Sequence, residues 1–337
     1  MTARTPNHRT RRGFIAVCAL ATLATASDAN AQRALPFAFP VADFVSGVHA
    51  GADELIVADT LSAWVIARSG EARRVTGLGP IAGVAGASTD AGPVYALLER
   101  NGGVARQRSG TWERTTLERS GSRVAMVGVA VGLDASVYCA SESDGLFIWH
   151  ADGSVERIAY PEATMRATAV TLGEGTAYVV GQAGMLLALR GASLQRLGIP
   201  LPTDPYEHHP SDLASAWWSE GSHTLWVGTV MSGLFHVDPT GRTARRVPLN
   251  VFGSIRALRG YTVAHRDVVL LGAQSTLVAV VAGREQTLPA ACTFPRAITI
   301  DPASETFVAG CQNGVVRGAL PGVSARAAGT APLGGTA

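Results

Sequence analysis

Short apolar runs alternate with turn residues along almost the whole chain. The runs are rich in Val, Ile, Leu and aromatic residues, and Gly, Asp, Asn or Ser separates each run from the next. No long stretch shows the spacing of apolar residues that an amphipathic helix requires. This pattern is typical of short β-strands joined by tight turns, so it predicts an all-β protein.

The runs are grouped in a unit that recurs about every 40 residues. The clearest unit covers residues 225–247, and two further clear copies cover residues 137–158 and 177–197. The units begin near residues 44, 80, 124, 166, 212, 254 and 296. A four-stranded sheet of this size cannot bury both of its faces alone, so the blades must stack around an axis. The sequence therefore predicts a seven-bladed β-propeller with four antiparallel strands per blade.

The seventh unit supplies only three strands before the C-terminal tail. Residues 32–36 resemble the outer strand of other units, such as residues 195–200. We therefore expect the mature N-terminal strand to complete the seventh blade and close the ring, which removes an exposed sheet edge. The predicted propeller covers residues 32–320, and the Ala-, Gly- and Thr-rich residues 321–337 are predicted to be a disordered tail.

Residues 1–31 have the pattern of an export signal peptide. The pair Arg11-Arg12 precedes an apolar run from Phe14 to Ala26, and an Ala-Asn-Ala sequence ends at Ala31. A basic start, a short apolar run and a small-residue site predict cleavage after Ala31. The arginine pair resembles a twin-arginine signal. We expect a periplasmic or secreted protein with no membrane span after signal removal.

The clearest repeat resembles a known family. The Leu-Trp-Val-Gly-Thr sequence at residues 225–229 and the Gly-Leu-Phe-His-Val-Asp sequence at residues 233–238 are similar to the repeat of two-component-regulator propellers. Residues 137–149 match this repeat less closely. The resemblance implies a periplasmic sensing or binding propeller. Because no membrane span and no kinase or regulator module follows the repeats, we expect a stand-alone, monomeric propeller.

Composition narrows the function. All 28 Lys and Arg residues are Arg, which excludes a Walker-type phosphate loop and Schiff-base chemistry. The net charge is +2, and removing the four Arg and one Asp of residues 1–31 leaves −1, so nucleic-acid binding is not expected. No G-x-S-x-G nucleophile motif is present. These features favour a binding protein without a cofactor, although paired acids for glycoside cleavage could still come from different blades.

Arginines recur at the start of the innermost predicted strand, which lines the central channel of a propeller. They are Arg123, Arg166, Arg256 and Arg296. Asp43 and Asp212 occupy the matching place in blades one and five. Four guanidinium groups at one channel mouth repel each other unless an anion or acidic side chains lie between them, and they bind carboxylates and phosphates well. The pattern predicts binding of an anionic small molecule or an acidic protein segment. The alternative is a set of solvated or Asp-paired structural arginines.

A second candidate site lies in the long loop at residues 200–211. It contains His208 and His209 beside carboxylates, and Asp212 follows. Imidazole and carboxylate groups can hold a divalent metal ion, although adjacent His side chains point apart in an extended chain. A metal-dependent hydrolase, lactonase or lyase with one divalent ion at the channel mouth therefore stays open as the alternative function. The other reading of this segment is a solvated loop.

Trp217 and Trp218 lie in the innermost strand of blade five. We expect one ring to face the channel or its packing layer and the other to face a neighbouring blade. Trp217 is therefore a candidate ligand contact, with core packing as the main alternative.

The cysteines predict one disulfide. When the strands of blade seven are paired across the turn at residues 302–305, Cys292 and Cys311 come to the same end of the blade. We expect a Cys292–Cys311 disulfide in an oxidising compartment. Cys139 lies within a strand and is expected to be a small buried hydrophobic residue.

Overall fold

A computed structural model describes residues 45–321 apart from residues 52, 202, 204–209, 252, 275, 290, 291, 302, 303 and 313. The described residues form seven sheets with antiparallel neighbouring strands, arranged in chain order around a ring. Blade one contains β1 (Val45–Ala50), β2 (Glu54–Asp59), β3 (Ala63–Ala67) and β4 (Ala72–Val75). Blade two contains β5 (Ile81–Thr89), β6 (Gly92–Glu99), β7 (Gly103–Arg108) and β8 (Thr111–Thr116). A small hairpin follows, made of β9 (Glu118–Arg119) and β10 (Ser122–Arg123).

The remaining blades repeat this arrangement. Blade three contains β11 (Met126–Val131), β12 (Val137–Ser141), β13 (Leu146–Trp149) and β14 (Val155–Ile158). Blade four contains β15 (Ala167–Gly173), β16 (Thr176–Gly181), β17 (Leu186–Arg190) and β18 (Ser193–Arg196). Blade five contains β19 (Leu213–Ser219), β20 (Thr224–Thr229), β21 (Leu234–Asp238) and β22 (Thr243–Val247). Blade six contains β23 (Ile255–Val263), β24 (Arg266–Ala273), β25 (Thr276–Val281) and β26 (Arg284–Thr287). Blade seven contains β27 (Ala297–Asp301), β28 (Thr306–Cys311) and β29 (Gly314–Ala319).

The seven-bladed propeller predicted from the repeats is confirmed. Each predicted unit start lies within two residues of the first residue of an innermost strand. The starts predicted near residues 80 and 212, for example, correspond to strands that begin at Ile81 and Leu213. The predicted export signal, the predicted closing strand and residues 322–337 of the predicted tail lie outside the described residues.

Burial follows the position of a strand within its blade. The second strand is covered by neighbouring blades on both faces, and β20 is buried at every position. The outermost strand is solvated, and β14 is exposed except at Ile158. This difference explains why second strands are mostly continuous apolar runs and why outer strands are rich in charged residues, as in β4 and β14. Apolar clusters between adjacent blades make up the core, and one that joins Val45 of blade one to Val308 of blade seven closes the ring.

A bulge recurs at the start of the innermost strand. In blades one to six, the pairing with the second strand shifts by one residue, as between Ile255 and Ala257 of blade six. Backbone hydrogen bonds to the preceding blade fix this point; the amide of Ile81, for example, donates to the carbonyl oxygen of Thr60 at 3.0 Å. The extra residue has no partner in the hydrogen-bonded pairing of the two strands, and this changes the direction in which its side chain points.

A carboxylate joins blades five and six at the end of the channel opposite these bulges. Asp267 accepts hydrogen bonds from Ser219 (2.5 Å), Ser222 (2.6 Å) and Trp226 (3.0 Å) of blade five and from Thr262 (3.1 Å) of its own blade. Burial raises the pKa of Asp267, but the four hydrogen bonds together outweigh burial and hold the pKa below its usual value.

Because the folded-state pKa is lowered, Asp267 stabilises the fold above the unfolded-state pKa of about 3.9, and this contribution is lost as the pH falls through the folded-state value. We expect Asp267→Asn to lower the free energy of unfolding at pH 7 by about 2 kcal/mol. Urea titrations between pH 7 and pH 3 should show this difference shrinking at acid pH. Replacing Asp90, an exposed residue in the turn between β5 and β6, is the control and should have little effect at any pH. A difference that stays constant down to pH 3 would contradict the hydrogen-bond argument.

Candidate functional site

The innermost strands surround a central cavity of about 310 Å³. Every blade contributes to its wall, from residues 46–49 of blade one to residues 296–299 of blade seven. Each innermost strand pairs on one side only, so the backbone amide and carbonyl groups of its free edge face the cavity. A ligand in this cavity therefore meets polar backbone groups on all sides.

The arginine and histidine side chains of the cavity lie on three consecutive blades. Arg256 and Arg259 belong to blade six, Arg296 to blade seven, and His49 to blade one. Blades two and three line the other side with glycine, alanine and valine only. Among the described residues that line the cavity, none is Asp or Glu. The cavity is therefore electropositive on one side, and an anion is the ligand that this charge favours.

Arg256 and Arg296 occupy the same position in neighbouring blades. Arg256 is the bulge residue that precedes Ala257, which pairs with Gly272, and Arg296 precedes Ala297, which pairs with Gly310. Both side chains are exposed to solvent. Arg256 and Arg296 therefore both line the cavity, and their role as ligand contacts stays a prediction.

Arg166 and Arg123 lie elsewhere. Nη1 of Arg166 donates to the carbonyl oxygens of Ala163 (3.1 Å) and Met165 (2.9 Å) in its own loop. Arg123 lies in the hairpin before blade three, opposite Glu118, and neither arginine lines the cavity. The four arginines do not share one register, because Arg166 precedes the bulge residue of its strand by two positions and Arg123 precedes it by four.

Asp212 is equivalent to Arg166. Their backbone carbonyls accept matching hydrogen bonds from Val230 and Gln182, the residues that follow the second strands. Oδ1 of Asp212 accepts a hydrogen bond from the amide of Ala183 at 2.7 Å, so its carboxylate holds the neighbouring blade and does not line the cavity. Asp43 lies outside the described residues.

Trp217 packs between blades. Its ring lies over Gly260 of blade six, where a Cβ atom would come within 2.4 Å of the indole. Trp218 stacks on Tyr178 of blade four, with ring centroids 5.2 Å apart and planes 8° apart. Both indoles are buried, and Trp217 is not part of the cavity wall. The core-packing reading therefore describes Trp217.

His49 and Arg259 are cavity residues that the sequence analysis did not select. The His49 ring lies over Gly86, where a Cβ atom would be 2.5 Å away, and 5.7 Å from the ring of Tyr95. Burial, together with the charge of Arg259, lowers the pKa of His49 to about 3, so its imidazole is neutral at physiological pH. A second arginine three residues after Arg256 in the innermost strand was the available signal for Arg259.

The predicted metal site is not tested by the structure. His208 and His209 lie outside the described residues. Within the part of the chain that the structure describes, no group of three His, Cys, Asp or Glu side chains is placed to hold a metal ion. Over the same residues, no helix has the length and apolar character needed to cross a membrane.

No protein-family model matches the sequence, and no curated protein is significantly similar to it. Solved structures share the fold. A streptogramin B lyase superposes with a TM-score of 0.66 at 13% identity, covering 84% of this chain and 95% of the lyase. A catalytically inactive virginiamycin B lyase from Staphylococcus aureus, solved with quinupristin, gives 0.68 at 11% identity, covering 83% of this chain and 96% of that chain.

The extracellular domain of a hybrid two-component system from B. thetaiotaomicron is a further neighbour. It superposes with a TM-score of 0.64 at 13% identity, covering 84% of this chain and 39% of that chain. This likeness agrees with the resemblance of the repeat at residues 225–238 to two-component-regulator propellers. At these identities the comparisons establish the propeller fold, and the chemistry has to be argued from the cavity.

Proposed function

We propose that the protein binds a small anionic molecule in its central channel, at the end where Arg256 and Arg296 lie. The observation that carries this proposal is the position of the two arginines, at equivalent places in neighbouring blades on the wall of one cavity. Two guanidinium groups on one cavity wall attract an anion more strongly than one does. A guanidinium group also offers a planar pair of donors that matches carboxylate and phosphate oxygens.

The cavity volume favours a small molecule over an acidic protein segment. At about 310 Å³, it lies at the lower end of the range for ligand pockets, which is roughly 300–1,000 Å³. We propose a periplasmic or secreted binding protein, and the extracellular domains among its structural neighbours support that location. A sensing role would then require a separate partner to read the bound state.

The test is calorimetric titration of the mature protein with inorganic phosphate and with short mono- and dicarboxylates at low ionic strength. We expect binding of at least one anion, and we expect the double variant R256Q/R296Q to weaken it about tenfold or more. The double variant R123Q/R166Q is the matched control, because it removes the same charge outside the cavity. It should bind within about twofold of the unmodified protein.

Two outcomes would contradict this proposal. Equal losses in the two double variants would mean that only the general charge of the protein matters. Binding of an acidic peptide, with no measurable binding of any small anion, would favour the partner-segment alternative. Thermal unfolding of each variant shows whether the fold is intact.

The metal-dependent alternative has a separate test. Elemental mass spectrometry of the mature protein after gentle purification measures calcium, zinc and manganese per chain. About one equivalent of metal, lost in His208→Ala/His209→Ala, would favour a metal-dependent hydrolase, lactonase or lyase. Protein that binds anions without bound metal would favour the anion-binding proposal.

A further inference from the structure

We propose that the channel ligand carries two anionic groups and that Arg259 holds the second group in an inner subsite. This inference rests on the proposed function, since it takes Arg256 and Arg296 as the outer subsite. It goes further by naming the ligand class, a small molecule with two separated carboxylate or phosphate groups.

Arg256 and Arg259 lie at different depths along the channel. Arg259 lies three residues after Arg256 on the same strand, β23, and both line the same cavity. At about 3.3 Å per residue, their backbone positions are roughly 10 Å apart along the strand. The two arginines therefore start from two levels of one channel, and a ligand with two separated anionic groups can engage both levels.

The Arg259 guanidinium has no acidic neighbour on the cavity wall. The Arg259 side chain lies in the channel and is exposed to the water there, and desolvation by the surrounding protein lowers its pKa. No hydrogen bond or ion pair joins it to any other residue that the structure describes. A partly desolvated cation with no carboxylate on the cavity wall attracts an anion, so an anion bound at this depth would stabilise the folded protein.

His49 and Thr299 occupy strand positions equivalent to that of Arg259 in the two blades that follow it around the ring. Arg259 lies two positions after Ala257, and His49 and Thr299 lie two positions after the equivalent residues of blades one and seven. Oγ1 of Thr299 accepts a hydrogen bond from the Ala50 amide at 3.1 Å, so its hydroxyl proton is left to donate. A neutral imidazole and a hydroxyl beside a guanidinium supply donors without a competing carboxylate.

A chain-length series tests the proposal. The mature protein is titrated with succinate, glutarate, adipate and suberate, and with the monocarboxylates of the same chain lengths. We expect at least one dicarboxylate to bind about tenfold more tightly than its matched monocarboxylate, because one molecule engages both levels. R259Q should bind that dicarboxylate only as tightly as the matched monocarboxylate. Its affinity for the monocarboxylate, which binds at the outer level, should change by less than about twofold. R256Q/R296Q should weaken both ligands.

Arg266→Gln is the matched control, since this exposed arginine lies at the turn between β23 and β24 and outside the cavity wall. Equal affinities of mono- and dicarboxylates, or dicarboxylate binding that R259Q leaves unchanged, would overturn the inner subsite and leave the proposed function standing. Loss of monocarboxylate binding in R259Q would show that one anion sits at Arg259 alone, which also overturns the two-headed ligand. No binding of any anion would overturn the proposed function itself.

Discussion

Replacing Arg106 by methionine should lower the free energy of unfolding by about 3–5 kcal/mol. Arg106 lies on β7 of blade two and is completely buried, with its guanidinium 4.1 Å from the ring centroid of Trp149 in blade three. Nη1 donates to the carbonyl oxygens of Ala135 (3.1 Å) and His150 (2.8 Å), and Nη2 donates to Glu113 (2.9 Å). Methionine keeps much of the volume but leaves two carbonyl groups and a carboxylate without this donor. Urea titration at pH 7 measures the loss.

Arg108→Met is the matched control for this prediction. Arg108 donates to the same carboxylate, Glu113, at 2.8 Å, but its side chain is partly exposed, so its ion pair is screened by water. We expect a loss of about 1 kcal/mol or less. Arg108 also donates to a carbonyl of blade three, that of Ala151, at 3.0 Å, so the two arginines differ mainly in burial. Equal losses in the two variants would mean that the burial of Arg106 does not determine its effect.

Removing the disulfide should have the next largest effect. Cys292 and Cys311 form a disulfide with their Cα atoms 5.4 Å apart, as predicted from the strand pairing of blade seven. The bond closes a loop of 19 residues, and a loop of this length corresponds to about 3 kcal/mol of stability in the chain-entropy description. We expect Cys292→Ser/Cys311→Ser to lose about this amount in a urea titration.

A reducing agent provides the internal control. It should destabilise the unmodified protein to the level of the double serine variant and leave that variant unchanged. Cys139 is buried, and burial raises the pKa of its thiol, so it stays unreactive in both proteins. A double variant as stable as the unmodified protein would show that packing alone holds the end of blade seven.

The blades were predictable from the sequence because blade formation is local. Each hairpin joins neighbouring segments through short turns, so the apolar runs and turn residues carry the necessary information. Strands β20 and β21, for example, coincide with apolar runs of the clearest repeat. The Cys292–Cys311 pairing was predictable for the same reason, since it follows from one hairpin of blade seven.

The candidate site was only half predictable. Arg256 and Arg296 were found from their place before an apolar strand, and they do line the cavity. Arg123 and Arg166 have the same sequence pattern but lie outside it, because they precede the bulge residue by four and two positions, whereas Arg256 is itself the bulge residue. Backbone hydrogen bonds to the preceding blade, such as that from the Ile81 amide to the Thr60 carbonyl oxygen, hold this bulge in place. The sequence of a single repeat does not show these hydrogen bonds.

By itself, the sequence determined the all-β class, the seven repeats, the strand order within each blade and the disulfide. These features depend on residues that are close along the chain and on the alternation of apolar runs with turns. Only the tertiary structure decided which arginines meet in one cavity and that Arg259 and His49 lie within it. Closing the ring brings blades six, seven and one together around the channel, and no local pattern records which side chains then share a wall.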